Sequence, residues 1–239
     1  MAEQNEKQIK ENLQIIHNKI QAACNKSGRD INTVKLMAVS KFHPAESVIS
    51  AINAGQILFG ENRVQEAFAK FSEINKKFKT ELHIIGQLQS NKVRDAVKIA
   101  ECIQSVDRIE LLNEIEKQCT RFEKNIKILF EIHTAEDSKS GFDDINDIRE
   151  CLKNFSENKY PHITPAGFMT MAPFTKDEAL IRKSFTTARN ISQILQNEFS
   201  RFNLAELSMG MSGDYEIAIE EGSTLVRIGT AIFGERDYK

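Results

Sequence analysis

The chain places a lysine directly after a short apolar run that has the length and composition of a buried strand. Residues 36–40 read LMAVS, and Lys41 follows them. In sheets of parallel strands, the strand ends often carry functional side chains. A primary amine at such an edge can attack a carbonyl carbon when part of it is unprotonated. A surface lysine that merely ends a strand is the alternative interpretation.

Polar side chains also follow other apolar runs. If the runs are parallel strands, these side chains lie around the same mouth as Lys41. They are Glu61 and Asn62 after the second run, Gln87, Gln89, Ser90 and Asn91 after the third, and Lys139 and Ser140 after the fifth. We therefore expect Lys41 to face a ring of hydrogen-bonding groups.

The C-terminal stretch LSMGMSGDYEIAIEEGSTLVRIGTAIFG ends two apolar runs in small residues. These residues are Ser208, Gly210, Ser212 and Gly213 after the seventh run, and Gly229 and Thr230 after the eighth. Glycine lets main-chain N–H groups approach an anion closely, and barrels often bind phosphate after strands seven and eight. The stretch predicts a phosphate-bearing ligand, although turns also need glycine for conformational reasons.

A lysine opposite a phosphate site suits an aldehyde or ketone phosphate held as a Schiff base. Pyridoxal 5'-phosphate and an aldolase substrate both meet this description. Arg227 favours pyridoxal phosphate, because it lies two residues before Gly229 and should point to the same side, toward a pyridine nitrogen. An internal salt bridge to a barrel carboxylate is the alternative role for Arg227.

Eight short apolar runs alternate with segments of helical period. The runs cover residues 36–40, 57–60, 82–86, 102–106, 126–132, 163–169, 207–209 and 225–228. Eight such units most economically close into an α/β fold, the single-domain (β/α)8 TIM barrel, with an open doubly wound sheet as the alternative. Ile9, Leu13, Ile16 and Ile20 have helical spacing and predict an extra N-terminal helix before the barrel.

Two pairs of residues have the spacing of a capping box. In this motif the side chains of the first residue and of the residue three positions later accept hydrogen bonds from each other's backbone N–H groups at a helix N-terminus. They are Asp107 with Glu110, and Thr175 with Glu178. We expect a helix to begin at each pair.

The composition of the 239 residues, 41% hydrophobic with formal net charge −2, is typical of a soluble globular protein and argues against nucleic-acid binding. No apolar segment approaches the roughly 18 residues that cross a membrane, and the N-terminus lacks the apolar region of a signal peptide. We therefore expect a cytoplasmic protein. The four cysteines are widely spaced without a CxxC motif, which predicts buried, reduced thiols and no metal site.

Five segments together resemble the YggS/PROSC family of pyridoxal phosphate homeostasis proteins. The segments are AVSKFHPAE, FGENRVQE, LHIIGQLQSNK, SKSGF and LSMGMSGDYEIAIEEGSTLVRIGTAIFG. The resemblance runs from about residue 5 to 236. It implies one domain over residues 1–239, a barrel like the N-terminal domain of alanine racemase, with pyridoxal 5'-phosphate bound as a Schiff base to Lys41.

The resemblance also assigns residues to the two other ends of the cofactor. It implies that Ser208, Gly229 and Thr230 hold the phosphate, and that Arg227 faces the ring nitrogen.

Two further residues match the family's motifs. Asn62 would lie near the cofactor, and Lys139 matches a position near the mouth of the site. Met169 and Met171, at the sixth strand, would pack against the ring, unless they belong to the barrel core.

The resemblance implies a monomeric carrier in vitamin B6 and amino-acid balance, in transient contact with apo-enzymes that depend on the cofactor. Racemisation would need a second acid/base group, a tyrosine from a further domain, and no matched motif supplies one. Arg227 against the pyridine nitrogen would weaken the ring as an electron sink. We therefore expect no catalysis. The alternatives are an amino-acid racemase or decarboxylase and a ligand-responsive interaction protein.

Overall fold

The computed structural model describes residues 2–134 and 140–235. In these residues eight parallel strands pair in chain order, and the first strand also pairs with the eighth. The strands are β1 Lys35–Val39, β2 Leu58–Glu61, β3 Glu81–Ile84, β4 Cys102–Val106, β5 Ile126–Glu131, β6 Ile163–Met169, β7 Glu206–Ser208 and β8 Leu225–Ile228. The closed barrel confirms the (β/α)8 prediction and excludes the open sheet.

In the same described residues, one helix precedes the barrel and one follows each strand. The helices are α1 Ala2–Lys26, α2 Ala45–Asn53, α3 Val64–Ile74, α4 Val93–Ile99, α5 Ile109–Phe122, α6 Ile145–Ser156, α7 Glu178–Glu198, α8 Tyr215–Glu220 and α9 Thr230–Phe233. None of them is both long enough and apolar enough to cross a membrane.

The N-terminal helix α1 is the predicted addition to the barrel. Its stripe of Ile9, Leu13, Ile16 and Ile20 is buried, because residues three and four positions apart share one helix face. The helix contacts α2, α8 and α9. It therefore covers the seam where the first and last units of the barrel meet.

Helices α5 and α7 begin at the two predicted pairs, but neither pair forms a capping box. Helix α5 has Arg108 at its N-cap without a side-chain hydrogen bond, and Asp107 forms an ion pair with Arg108 instead. Helix α7 is capped by Asp177, which accepts from two backbone N–H groups, while Thr175 accepts from the N–H of Asp177.

The interior of the barrel is only partly apolar. Two clusters lie there, one of Met37, Val39, Leu58 and Leu225, the other of Cys102, Leu129 and Met169. Gln104, Glu131 and Arg227 lie two positions after Cys102, Leu129 and Leu225 and therefore point to the same interior side. All three are buried. All four cysteines are buried free thiols, as predicted. The polar interior residues mark the end of the barrel where the site lies.

Candidate functional site

A cavity of about 580 Å³ opens where the strands of the barrel end. Residues that follow β1, β2, β3, β5, β6, β7 and β8 line it, together with residues at the ends of strands. Of the residues predicted for the site, those that line it are Lys41, Asn62, Met169, Arg227, Gly229 and Thr230. The structure thus brings six of the seven predicted residues to one cavity.

Lys41 and Gly229 lie on neighbouring strand ends. Strands β1 and β8 pair with Ala38 opposite Ile228, so both residues follow shortly after the last paired position. A Cβ on Gly229 would lie 3.0 Å from the carbonyl oxygen of Val39, a contact so tight that β1 would have to shift by a few tenths of an ångström. This close approach puts the amine and the Gly229 turn on one wall.

Helix α3 holds the backbone on both sides of Lys41. The ammonium of Lys70 donates to the carbonyl oxygen of Ser40 at 2.9 Å, and the carboxylate of Glu66 accepts from the N–H of Phe42 at 2.6 Å. Phe42 has a positive φ of 66°, a conformation that non-glycine residues seldom adopt. These contacts fix the direction in which Lys41 leaves the strand.

A buried ionic cluster lies behind this segment. Lys70 contacts Glu61 at 2.8 Å and Glu66 at 3.2 Å, and the hydroxyl of Ser40 donates to Glu61 at 2.7 Å. Burial raises the pKa of Glu61, an effect that the nearby ammonium of Lys70 only partly offsets. Glu61 was expected at the mouth. It points instead toward α3, because it lies on the outer face of β2.

Two other groups of residues were expected at the mouth. After β3, Gln87 lines the cavity, whereas Gln89, Ser90 and Asn91 do not. After β5, Ser140 lines the cavity. Lys139 lies outside the described residues, so its position stays a prediction.

Arg227 is buried and held by three hydrogen bonds. Its guanidinium donates to the carbonyl and hydroxyl oxygens of Ser208 at 2.6 and 2.8 Å, and to the carbonyl oxygen of Thr170 at 2.8 Å. Burial lowers the pKa of Arg227 to about 10, although Asp214 and Glu131 favour its charged form. Its described partners are these oxygens and include no ion pair, unlike the internal salt bridge considered from the sequence.

Ser208 lies beneath the cavity and does not line it. It is fully buried, and its hydroxyl donates to Gln104 at 2.7 Å while accepting from Arg227. In the loop after β7, the serine that lines the cavity is Ser212. Gly210, with φ of 97°, turns the chain after β7 and carries Ser212 across the mouth. In this structure Ser208 supports Arg227 from below the cavity, and its contact with a phosphate stays a prediction.

The loop after β7 and the turn after β8 present backbone donors to the cavity. Within residues 2–134 and 140–235, the N–H groups of Ser212, Gly213 and Thr230 donate to no protein acceptor. All three residues line the cavity. Unsatisfied N–H groups and hydroxyls that converge in this way suit an anion.

Sequence reasoning missed two carboxyl groups in the cavity. Burial raises the pKa of Glu131, to which the hydroxyl of Ser140 donates at 2.6 Å. Burial also raises the pKa of Asp214, although the N–H of Met211 donates to it. Glu131 is a charged residue at the end of the apolar run of β5, just as Lys41 follows the apolar run of β1. This pattern could have identified Glu131 from the sequence.

Comparison with known proteins assigns the family. The sequence profile described as "Alanine racemase, N-terminal domain" matches residues 5–237. A pyridoxal phosphate homeostasis protein of Aquifex aeolicus (strain VF5) is 39% identical over 231 residues, which cover 95% of this chain and 98% of the relative. The chain belongs to the pyridoxal phosphate homeostasis protein family. This confirms the resemblance seen in the sequence.

Solved structures of similar proteins agree with this family. PipY of Synechococcus elongatus PCC7942, solved with pyridoxal phosphate bound, has a TM-score of 0.83 and 36% identity, covering 95% of this chain and all (100%) of that chain. An alanine racemase of Clostridium difficile 630 has a TM-score of 0.73 at 16% identity, covering 98% of this chain and 58% of that chain. The racemase likeness shows a shared fold alone.

Proposed function

We propose that this family member binds pyridoxal 5'-phosphate reversibly in the cavity, covalently through Lys41, and thereby serves vitamin B6 and amino-acid balance. The observation that carries the proposal is that Lys41 and the open N–H groups of Ser212, Gly213 and Thr230 line one cavity. The family name of the relatives and the cofactor in PipY support it.

The residues of the cavity fit the functional groups of this cofactor. Pyridoxal phosphate supplies an aldehyde, which a primary amine can bind covalently. Lys41 is the amine, and its backbone is fixed by α3. The hydroxyls of Ser212 and Thr230, with the N–H groups of Ser212, Gly213 and Thr230, would hold the phosphate. Asn62 and Met169 line the remaining wall and would orient the ring.

Arg227 would face the ring nitrogen and keep it unprotonated. A guanidinium only donates hydrogen bonds, and a pKa of about 10 leaves Arg227 charged at neutral pH. A ring nitrogen beside this charge resists protonation, so the ring withdraws electrons less strongly. This supports a protein that holds the cofactor over one that uses it.

The placement of the tyrosines also supports a carrier. Racemisation needs acid/base groups on both faces of the substrate carbon. Tyr160 donates to Asn113 at 2.9 Å and Tyr215 is buried with its pKa raised by burial to about 12. Neither of these two lines the cavity, and Tyr238 lies outside the described residues.

Visible absorption of the purified protein with added cofactor tests the proposal. The wild type should show the band of lysine-bound pyridoxal phosphate, and Lys41→Ala should abolish it. Lys176→Ala, which removes an exposed lysine from the loop after β6, should keep the band. A band that survives in Lys41→Ala would refute the covalent role of Lys41.

The second candidate function is an amino-acid racemase or decarboxylase. The observation that favours it is the pair of cavity carboxyls, Glu131 and Asp214, whose raised pKa values suit acid/base work. Steady turnover of an amino acid by the loaded wild type, absent in Lys41→Ala, would establish this candidate in place of the carrier.

A further inference from the structure

We propose that His83 and Gln104 are positioning residues that hold Arg227 in place through Ser208, by a chain of hydrogen bonds across the barrel interior. The inference rests on the proposed function to the extent that Arg227 is the group facing the cofactor ring. Neither residue lines the cavity. Their effect would therefore be exerted through Arg227.

The chain joins five side chains without a gap. Arg227 donates to the hydroxyl of Ser208 at 2.8 Å, and that hydroxyl donates to Oε1 of Gln104 at 2.7 Å. Nε2 of Gln104 lies 2.7 Å from Nδ1 of His83, and Nε2 of His83 lies 3.0 Å from the carboxylate of Glu81. The three central residues are almost completely buried, at 0% exposure for Ser208 and Gln104 and 3% for His83.

When the ring of His83 is neutral, the two ends of this series of hydrogen bonds fix the direction of every bond in it. A guanidinium can only donate and a carboxylate can only accept. Glu81 therefore requires the proton of a neutral His83 on Nε2, which leaves Nδ1 as an acceptor for the amide N–H of Gln104. The amide oxygen of Gln104 is then turned toward Ser208, whose hydroxyl proton it receives. The lone pair of Ser208 is left for Arg227.

This arrangement explains how a group outside the cavity acts on Arg227. Without an acceptor at position 104, the hydroxyl proton of Ser208 would have no defined direction and would compete with the N–H of Arg227. The guanidinium would keep its bonds to the two carbonyl oxygens of Ser208 and Thr170 but lose its third contact. Arg227 would then be held less firmly in its position against the ring nitrogen.

The first test needs no cofactor. Nitrogen-15 NMR of the neutral His83 ring in the wild-type protein should find the proton on Nε2 and none on Nδ1. In Gln104→Glu, a carboxylate would face Nδ1, and His83 should become doubly protonated. A proton on Nδ1 of the wild type, or an unchanged protonation of His83 in Gln104→Glu, would overturn the proposed chain of hydrogen bonds.

The second test measures pyridoxal phosphate affinity by equilibrium titration. Gln104→Met, which keeps the length of the side chain without its polar end, should bind about tenfold more weakly, the effect expected for one hydrogen bond to a charged group. Gln104→Glu still accepts from Ser208 and should restore affinity to within about threefold. Leu129→Met, an interior change outside the chain, should retain wild-type affinity.

Wild-type affinity in a folded Gln104→Met, with folding checked by thermal melting, would overturn the positioning role. If Gln104→Met does not fold, the NMR result and the affinity of Gln104→Glu decide the question. If the proposed function fails, the wild type itself will not bind pyridoxal phosphate. The tautomer of His83 would in that case still show whether the chain of hydrogen bonds exists.

Discussion

Arg227 and Glu131 lie in one cavity with opposite formal charges, and burial disfavours the charged form of both. The pKa of Arg227 falls to about 10 and the pKa of Glu131 rises, with burial as the largest cause in each case. Arg227 still carries its charge at neutral pH. Of these two residues, Glu131 is the one whose raised pKa makes stability depend on pH.

Glu131→Gln should remove a pH dependence of stability. A raised carboxyl pKa in the folded protein means that stability is fully present below the unfolded value and is lost as pH rises through the folded value. Glutamine mimics the protonated form at every pH and still accepts from Ser140. The free energy of unfolding of the variant, measured by urea titration, should therefore exceed that of the wild type increasingly toward alkaline pH. An advantage that grew toward acid pH would contradict this direction.

At the scale of elements, the contact between α3 and the end of β1 determines how Lys41 is presented. Glu66 and Lys70 lie one helical turn apart, so one face of α3 reaches both backbone groups that flank Lys41. These two contacts, of Glu66 with the N–H of Phe42 and of Lys70 with the carbonyl of Ser40, form a clamp that joins two adjacent β/α units. It was not expected from the sequence, where Glu66 and Lys70 are two ordinary charged residues in a helix.

Glu66→Ala should slow the capture of pyridoxal phosphate about two- to tenfold, because a hydrogen bond to a partly exposed carboxylate contributes modestly. Stopped-flow absorbance measures the rate. Glu66→Gln keeps an acceptor for the N–H of Phe42, so its rate of capture should lie between those of the wild type and Glu66→Ala. Glu73→Ala, on the exposed side of α3, is the matched control and should capture at the wild-type rate. Equal rates for Glu66→Ala and Glu73→Ala would count against the clamp.

The positions of the strands could be predicted from the sequence, but the direction of individual side chains could not. Apolar runs bounded by polar residues identified all eight strands to within a few residues. A strand of a barrel is buried on both faces, so its sequence does not show which residues point inward. Glu61 was therefore expected in the cavity and lies outside it. Ser208 was expected at the mouth, but the turn at Gly210 gives that place to Ser212.

The sequence located the starts of α5 and α7, but it did not show which residues cap them. Thr175 and Glu178 match a capping box, but Asp177 lies between them and caps α7. Several residues near a helix start can accept the same N–H groups, and the path of the preceding loop decides among them.

At the scale of the whole molecule, α1 closes the outside of the barrel where α2, α8 and α9 meet. Its buried apolar side chains form the part of the core that comes before the first strand in the sequence. The monomeric state, the cytoplasmic location, the single domain over residues 1–239 and contact with apo-enzymes stay predictions, as does the absence of catalysis.

Ile16→Ala should lower the free energy of unfolding by about 2–5 kcal/mol, the usual cost of a cavity left by a large aliphatic side chain. Its neighbour provides the control. Ile16 is 4% exposed and Ile15 is 52% exposed, so Ile15→Ala should change stability by no more than about 0.5 kcal/mol. Urea unfolding of the two variants measures both values. Similar losses in both would mean that α1 does not pack as described.

The covalent attachment of the cofactor to one lysine can be measured directly. The protein is incubated with pyridoxal 5'-phosphate, reduced with borohydride, digested and mapped by mass spectrometry. The account predicts a phosphopyridoxyl group on Lys41 and on no other lysine at one equivalent of cofactor. A group found mainly on Lys70, Lys139 or Lys176, or spread over many lysines, would contradict it.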